Sequence, residues 1–437
     1  MSQADLLIKN GLILTLDDNF TVLPQGDIVI NQGQISEISA ASQTKAAQII
    51  DASGQLVMPG LINTHTHAAM TLLRGAADDL PLDIWWHKVI FPLEKKFVSP
   101  EFVRIGAALA ILEMIKSGTT SFLDMYFFSA ETAEICRQFG IRAWLGEAIM
   151  DFPTPSCKSA EETLNYVRAF ANHYRADPLI TPVIAPHAPY TCNRENLLKA
   201  KALADQLNLP LNMHVAETAE EVANLRLQTG LTPVVYLEKL GLLCRRLSAV
   251  HCVHLTTEEI KLLAHHQVKV CHCGESNMKL ASGNAPIVEL LQAGVTIGLG
   301  TDGAASNNNL DLFDEMDVVA KLHKAIKHDP LAINAKTALG LATTQAAKVL
   351  LRPDLGSLII GNKADIILLN LNTAHLTPLY NPYSHLVYSA GGSDVSTVII
   401  NGKVIMKDRR LITIDETEVL TKARELAVKI GQSLPRL

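Results

Sequence analysis

Residues 59–67 read Pro-Gly-Leu-Ile-Asn-Thr-His-Thr-His, a short apolar run that ends in His65 and His67. In an extended strand, side chains two positions apart point to the same side, so the two imidazoles face the same way. Imidazoles paired in this manner suit a borderline divalent metal. A single His-x-His pair is also common among solvated loop histidines, so its meaning depends on the rest of the chain.

Seven further apolar runs follow residues 61–64 through the middle of the chain. They cover residues 119–123, 143–146, 181–185, 211–215, 248–253, 268–271 and 296–300. Amphipathic stretches separate most of them, for example 102–116, 161–173, 196–207 and 218–228. Strands that alternate with helices form parallel sheets, so the pattern predicts an α/β fold, a (β/α)8 barrel over residues 59–352. A doubly wound sheet is the alternative that this pattern leaves open.

The two ends of the chain share a different pattern of short apolar runs. These runs cover residues 6–9, 12–16, 27–30 and 35–38 at one end and 364–369, 398–400 and 403–406 at the other. Asn10-Gly11, Asn31-Gln32-Gly33 and Asn401-Gly402 are predicted hairpin turns, because Asn and Gly tolerate positive φ. Neither end is long enough to bury a core alone. We therefore predict that residues 1–58 and 353–437 pair into one small β-sandwich domain.

The composition of the 437-residue chain is that of a globular protein, with 48% hydrophobic and 19% charged residues. The 38 Lys and Arg against 44 Asp and Glu give a net charge of −6, which argues against a nucleic-acid-binding protein. We find no signal-peptide pattern and no apolar run long enough for a membrane span. The seven scattered cysteines do not indicate a disulfide framework, and Cys271 and Cys273 are predicted to be buried strand residues. We expect a cytoplasmic protein whose partner is a small molecule, not nucleic acid or a membrane.

Polar side chains follow several of the predicted barrel strands at their carboxyl ends. His214 ends the fifth strand and Asp302 follows the eighth. Barrel enzymes assemble their sites at this rim, so both residues converge there with His65 and His67. Four nitrogen and oxygen ligands that leave a position open for water are typical of a catalytic metal site.

Three more residues of the predicted rim are candidates for catalysis or substrate contact. His251 lies near the end of the sixth strand, and His187 ends the fourth strand between two prolines. Glu217 lies three residues after His214, where a carboxyl group beside a metal is a candidate general acid. A Glu in the first turn of a helix gives the same pattern, so this alternative stays open.

The motifs that carry this pattern resemble those of the amidohydrolase superfamily, in particular its branch of 5-methylthioadenosine/S-adenosylhomocysteine deaminases and related triazine hydrolases. The matching stretches are residues 59–75, 185–191, 214–217, 276–283 (Ser-Asn-Met-Lys-Leu-Ala-Ser-Gly), 300–306 and 356–365. They are spread over nearly the whole chain. The resemblance implies a barrel flanked by a β-sandwich built from both termini, in agreement with the residue pattern.

The resemblance also implies a single divalent metal, usually zinc and sometimes iron. Its ligands would be His65, His67, His214 and Asp302. Asp302 would in addition accept a proton from the attacking water, Glu217 would protonate the substrate ring, and His251 would orient the water.

Glu217 and Asp302 would also contact the substrate, together with three further residues. Glu94 matches the position that binds ribose hydroxyls, although beside Lys95 and Lys96 it could instead be a solvated helix residue. His187 would face the substrate at the rim. Trp86 could wall the base pocket, although tryptophan is more often core surface.

The implied activity is hydrolytic deamination of an adenine nucleoside, namely 5′-methylthioadenosine and/or S-adenosylhomocysteine. The alternatives are a triazine or halo-aromatic hydrolase, a guanine or pterin deaminase and, more remotely, a non-catalytic scaffold protein. Gly274 stands where members of the family usually have proline. The third strand ends in Gly146-Glu147, and no basic residue is placed to hold a homocysteine carboxylate, which favours methylthioadenosine. We expect a homo-oligomer, either a dimer or a tetramer.

Overall fold

The computed structural model describes residues 3–80 and 84–434. Its strands are β1 (Ala4–Leu14), β2 (Val22–Asn31), β3 (Gln34–Ser39), β4 (Ala46–Asp51), β5 (Gln55–Pro59), β6 (Leu61–Thr66), β7 (Thr119–Tyr126), β8 (Arg142–Ile149), β9 (Ile180–Pro186), β10 (Leu211–Val215), β11 (Leu247–His251), β12 (Lys269–His272), β13 (Ile297–Leu299), β14 (Ile366–Asn370), β15 (Val395–Ile400), β16 (Lys403–Lys407) and β17 (Arg410–Leu411).

The α-helices lie between and after the strands. They span Phe91–Phe97, Pro100–Lys116, Ser129–Phe139, Ala160–His173, Arg194–Leu207, Ala219–Thr229, Pro233–Lys239, Thr257–His265, Gly274–Lys279, Ile287–Gln292, Leu312–Lys327, Ala335–Leu341, Thr344–Val349, Pro382–Tyr388 and Glu416–Gly431. Short 3-10 turns cover Ala68–Leu73, Ala374–Leu376 and Gly392–Asp394, and a π-helical turn covers Trp85–Ile90. Side-chain caps such as Ser159, which accepts from the Glu162 amide, fix where the longer helices begin.

The strands β6 to β13 form a nearly closed parallel barrel and neighbour one another in chain order. A doubly wound sheet reverses its strand order, so this order excludes that alternative and confirms the barrel. The first and last strands meet where the Thr64 hydroxyl donates to the Leu299 carbonyl at 2.8 Å and the Asp302 amide donates to the His65 carbonyl at 3.1 Å. Each of the eight predicted runs overlaps one barrel strand.

The chain termini form a separate mixed sheet in the order β17-β16-β15-β14-β5-β1-β2-β3, with β4 beside β1. The antiparallel pairing of β14 with β5 joins the C-terminal half of this sheet to the N-terminal half. Buried aliphatic residues from both halves, including Ile28, Val57 and Ile366, share one core. The prediction that the two termini build one β unit is confirmed, while the boundaries at 58/59 and 352/353 stay predictions.

One predicted turn is wrong. Asn10 and Gly11 lie inside β1, where the register with β2 shifts, so the pair forms a β-bulge instead of a hairpin. Asn10 adopts φ of 64°, and a Cβ on Gly11 would lie only 2.5 Å from Val57 Cγ2. The same tolerance for positive φ therefore serves a bulge, because β2 continues to pair past this point. The other two predicted turns, at Asn31–Gly33 and Asn401-Gly402, connect β2 to β3 and β15 to β16.

Several expectations from composition have structural counterparts. Cys271 and Cys273 are fully buried, as predicted, but only Cys271 lies on a strand, since Cys273 follows β12 and precedes the helix Gly274–Lys279. Within residues 3–80 and 84–434, every helix is too short or too polar to cross a lipid bilayer. The expected homo-oligomer and the expected cytoplasmic location stay predictions.

A buried ion pair connects the barrel to the terminal sheet. The guanidinium of Arg142, at the start of β8, donates to both carboxylate oxygens of Asp365 at 2.9 and 3.1 Å. Asp365 also accepts from the Asn401 amide at 2.7 Å, and both charged side chains are almost fully buried. Removing one partner of such a pair leaves the other charge buried without compensation.

We therefore expect Arg142→Met to lower the free energy of unfolding by about 3–5 kcal/mol, measured by denaturant titration. The control is Lys422→Met, because Lys422 forms its ion pair with Glu418 on the exposed surface. The double variant Arg142→Met/Asp365→Leu should recover much of the loss. A single variant as stable as wild type would show that the pair does not join the two units.

Candidate metal centre and active site

Three imidazoles meet at the carboxyl end of the barrel. His65 is the second-last residue of β6, His67 follows the strand, and His214 lies on β10. One ring nitrogen from each lies within 4.8 Å of the others, and the Nε2 atoms of His65 and His214 are 3.1 Å apart. The predicted convergence of these three residues is therefore present in the fold.

Each imidazole is oriented through its other nitrogen, Nδ1. The partners are the Asn212 side-chain oxygen for His65 at 3.2 Å, the Met125 carbonyl for His67 at 2.5 Å and the His187 carbonyl for His214 at 2.9 Å. A carbonyl oxygen can only accept a hydrogen bond, so Nδ1 carries the proton in all three rings. Each Nε2 then presents a lone pair to the centre, which is the arrangement found in metal-binding histidines.

The geometry fits a divalent cation. Two unprotonated Nε2 atoms at 3.1 Å repel each other unless a positive charge lies between or beside them. Burial, reinforced by neighbouring imidazoles, holds the pKa of His65 and His214 well below the ordinary value, so both rings are neutral. Neutral imidazole is the form that binds metal.

Asp302 adds a carboxylate to the three imidazoles. It follows β13 with φ of 60°, and its Oδ1 lies 3.3 Å from His67 Nε2 and 3.7 Å from His65 Nε2. The hydroxyls of Ser276 and Ser306 donate to Oδ2 at 2.6 and 2.9 Å, which leaves Oδ1 facing the imidazoles. Burial alone would raise the pKa of Asp302, but the nearby imidazoles and the Ser276 hydroxyl outweigh it and lower the pKa, so the group is ionised.

Glu217 and His251 lie beside the imidazole cluster, with the His251 ring 5.4 Å from that of His214. His251 ends β11 with φ of 70°, and its Nε2 is 3.7 Å from Glu217 Oε2. Its Nδ1 is 2.9 Å from Asn277 Oδ1, which fixes the proton on Nδ1. Burial raises the pKa of Glu217 above its ordinary value and favours the protonated acid.

A second carboxyl group holds Glu217 in place. Glu221 accepts from the Ala216 amide at 3.0 Å and from the Glu217 amide at 2.7 Å. Ala216 has φ of 53°, so the chain turns sharply at the end of β10 before the helix Ala219–Thr229 begins. Glu217 therefore precedes the helix and is not a glutamate of its first turn. Glu221, by contrast, does lie in that first turn.

Glu94 is buried, so it is not a solvated helix residue. It lies in the helix Phe91–Phe97, and only 4% of it is exposed. The Tyr126 hydroxyl donates to its Oε1 at 2.7 Å. Burial raises the pKa of Glu94 to about 7, against the opposing effect of this hydrogen bond.

His187 and Trp86 lie next to one another beside the imidazole cluster. Their rings are 6.5 Å apart and inclined by 27°, and the His187 ring is 4.7 Å from that of His214. Burial, with the neighbouring imidazoles, lowers the pKa of His187 to about 3. Trp86 is half-buried, in contrast to the buried Trp85 beside it.

Sequence reasoning missed the residues that support the site. These are Asn212, Ser276, Ser306, Asn277, Glu221 and Tyr126. Ser276 and Asn277 belong to the stretch 276–283 that resembles the family, so this resemblance could have identified them as site residues. Gly274 also has a structural reason: its amide donates to the buried Glu315 at 3.1 Å, which a proline could not do.

A barrel whose carboxyl rim carries three imidazoles, each with Nε2 facing a common centre, and a carboxylate is typical of metal-dependent hydrolases. Comparison with known proteins identifies the family within this class. The model of the amidohydrolase family matches residues 56–405, and the chain belongs to that family.

Full-length relatives are similar to the chain throughout. A 5-methylthioadenosine/S-adenosylhomocysteine deaminase 1 of Syntrophus aciditrophicus is 46% identical, with 99% of both chains covered. A 5′-deoxyadenosine deaminase of Methanosarcina mazei is 44% identical, with 98% of both covered. The crystal structure of an adenosine deaminase from Xanthomonas campestris with bound zinc superimposes with a TM-score of 0.97, 40% identity and 99% of both chains covered.

Proposed function

We propose that the protein is a metal-dependent hydrolase that deaminates adenine nucleosides, with 5′-methylthioadenosine and S-adenosylhomocysteine as candidate substrates. The observation that carries the proposal is a pair of carboxyl groups beside the three imidazoles. Asp302 is an ionised carboxylate, whereas the raised pKa of Glu217 favours its protonated form. The two carboxyl groups are suited to opposite proton transfers. Relatives at 43–46% identity carry deaminase names, which favours this activity over the triazine, guanine and pterin alternatives.

In this proposal His65, His67, His214 and Asp302 hold one divalent metal. Three nitrogens and one carboxylate oxygen suit zinc, and iron is the second candidate. The zinc bound in the Xanthomonas campestris protein supports the first choice. When bound, the cation supplies positive charge that makes a water molecule a stronger nucleophile at neutral pH.

Asp302 accepts the proton of the attacking water. Its Oδ1 faces the imidazoles, and its Oδ2 is held by two serine hydroxyls, so the carboxylate cannot rotate freely. His251 presents Nε2 as an acceptor, because Asn277 keeps the proton on Nδ1. The ring is placed to orient the water towards the carbon that carries the amino group.

Glu217 donates its proton to the ring nitrogen next to that carbon. This transfer makes the carbon more electrophilic while the new C–O bond forms. Asp302 then returns its proton to the amino group, the C–N bond breaks and ammonia leaves. The hydroxyl left on the carbon loses its proton as it becomes the carbonyl, and this proton restores the acid form of Glu217. The product is the inosine analogue, so one water is consumed for each ammonia released.

Glu94 binds the ribose hydroxyls in this proposal. A carboxylate accepts hydrogen bonds from two neighbouring hydroxyls, and the Tyr126 hydroxyl occupies one of its remaining lone pairs. His187 and Trp86 form the aromatic side of the base pocket. A substrate that lacks ribose would leave Glu94 buried without its partners.

The proposal is tested by ammonia release from zinc-loaded enzyme. Adenosine, 5′-methylthioadenosine and S-adenosylhomocysteine are compared with adenine, guanine and a chlorotriazine. We expect fast turnover of at least one nucleoside and little action on free adenine, because only nucleosides carry the ribose hydroxyls that donate to Glu94. Turnover of guanine or the triazine without any nucleoside turnover would overturn the substrate assignment.

A further inference from the structure

The two serines that hold Asp302 belong to two different segments of the chain. Ser276 lies in the helix Gly274–Lys279, which we call the short helix, and Ser306 lies in residues 301–307, the turn after β13. The two hydroxyls are 3.0 Å apart, and both donate to Asp302 Oδ2. The position of the carboxylate therefore depends on how the short helix and the turn after β13 are held together.

The short helix receives its N-terminal cap from another helix. Its own N-cap residue is Cys273, and a thiol is a weak hydrogen-bond acceptor. The first amides of a helix lack an intrahelical partner and need an acceptor from elsewhere. Glu315, on the helix Leu312–Lys327, supplies this acceptor. Its Oε2 accepts from the Gly274 amide at 3.1 Å and from the Glu275 amide at 3.4 Å.

The same carboxyl group reaches the turn after β13. Asn307 Nδ2 donates to Glu315 Oε1 at 3.3 Å and to the Thr301 carbonyl at 2.8 Å. Thr301 and Asn307 are the two ends of the turn, and Asp302 and Ser306 lie between them. Glu315 therefore connects the two segments whose serines meet at Asp302.

A carboxyl group is an unusual side chain for this position of the helix. Glu315 is fully buried, which is unfavourable for an acid. Burial, reinforced by the carboxyl group of Glu275, raises the pKa of Glu315 well above its ordinary value, although the two amides oppose this effect. Other buried residues of the same helix, such as Leu312, Met316 and Val319, are apolar. An apolar residue could fill the volume of Glu315 but could not hold either segment, so the carboxyl group has a role beyond packing.

We propose that Glu315 is a positioning residue, which holds the short helix and the turn after β13 in the arrangement that the proposed reaction requires. Through the two serines it fixes the carboxylate of Asp302, and through Asn277 on the short helix it fixes the ring of His251. The inference rests on the proposed function and adds a supporting residue to the same site.

The test measures kcat and KM for 5′-methylthioadenosine in two zinc-loaded variants. Glu315→Gln keeps the shape of the side chain, but in either orientation its NH2 group faces a donor, because the carboxyl group is an acceptor on both oxygens. Glu315→Met keeps the volume and loses both acceptors. We expect kcat to fall about tenfold in Glu315→Gln and about a hundredfold in Glu315→Met, with KM changed less than about twofold. Wild-type kcat in Glu315→Met would overturn the inference, and so would wild-type kcat in Glu315→Gln if the Met variant does not fold.

Zinc affinity separates this inference from the proposed function, because it does not depend on turnover. Misplacing Asp302, a proposed ligand, should weaken zinc binding about tenfold in Glu315→Met, measured by competition with a chromophoric chelator. Unchanged zinc affinity in the variant would overturn the positioning of Asp302. Absence of nucleoside turnover in the wild-type enzyme would instead overturn the proposed function.

Glu259→Met is the matched control for a purely structural effect. Glu259 is also buried and accepts a backbone amide, that of Thr256 at 2.8 Å, at the start of the helix Thr257–His265. The proposed site residues all lie on other elements. We expect Glu259→Met to lower the free energy of unfolding but to leave kcat and zinc affinity unchanged. An equal decrease of kcat in Glu259→Met and Glu315→Met would overturn the inference, because loss of a buried carboxyl group would then be sufficient.

A double-mutant cycle tests whether Glu315 acts through Ser276. In a Ser276→Ala background the serine no longer connects the short helix to Asp302. Glu315→Gln should then lower kcat by less than about threefold instead of about tenfold. Independent effects, in which the two single losses multiply, would contradict this route.

Discussion

Asp302→Asn is expected to lower kcat for adenine nucleosides by about 10⁴-fold, because the variant loses the proton acceptor. The amide has the shape of the carboxylate and can still meet the hydroxyls of Ser276 and Ser306, so the fold should be retained. An amide oxygen is a weaker metal ligand than a carboxylate, which adds to the loss. The measurement is steady-state ammonia release at saturating substrate.

The control for this variant is Asp317→Asn. Asp317 forms an ion pair with the exposed Lys321 one helical turn away, far from any proposed role. It should show wild-type kcat and an unchanged unfolding transition. Turnover by Asp302→Asn comparable to wild type would contradict the assigned role of Asp302.

Glu217→Gln is expected to lower kcat by about 10³-fold, because the amide cannot donate an ionisable proton to the substrate ring. The sign of the pH dependence follows from the raised pKa of Glu217. Wild-type activity should fall as the pH rises through that pKa, because the deprotonated group is no longer an acid. The residual activity of Glu217→Gln should lack this alkaline decrease. The measurement is the pH profile of kcat/KM for both proteins.

Glu220→Gln is the matched control, because Glu220 is exposed on the helix Ala219–Thr229 that follows Glu217. It should leave both kcat and the pH profile unchanged. An alkaline decrease that persists in Glu217→Gln would mean that another group is the acid.

The barrel was predictable because its signals are local. Each strand is a short apolar run, and helices alternate with the strands in chain order, so residues 61–300 contain the whole pattern. The prediction that His65 and His67 face the same way required only the two-residue period of a strand. Placing His214 and Asp302 beside them needed only the strand count, because the carboxyl ends of all barrel strands share one rim.

The supporting contacts were not predictable, because they join residues that are distant in sequence. His65 is oriented by Asn212, and the burial of Glu94 depends on contacts such as that with Tyr126. An Asn or Tyr on a strand has no pattern that separates such a role from ordinary packing. The Asn10-Gly11 pair failed for a related reason: local φ preference is the same in a turn and in a bulge.

The central claim is that one divalent metal, held by His65, His67, His214 and Asp302, is required for nucleoside deamination. Its most direct test is a zinc titration of chelator-treated enzyme, with deamination of 5′-methylthioadenosine followed by the loss of adenine absorbance. We predict negligible activity without metal and a linear rise that stops at one equivalent of zinc. Full activity in the metal-free enzyme, or none at any amount of zinc or iron, would contradict the claim.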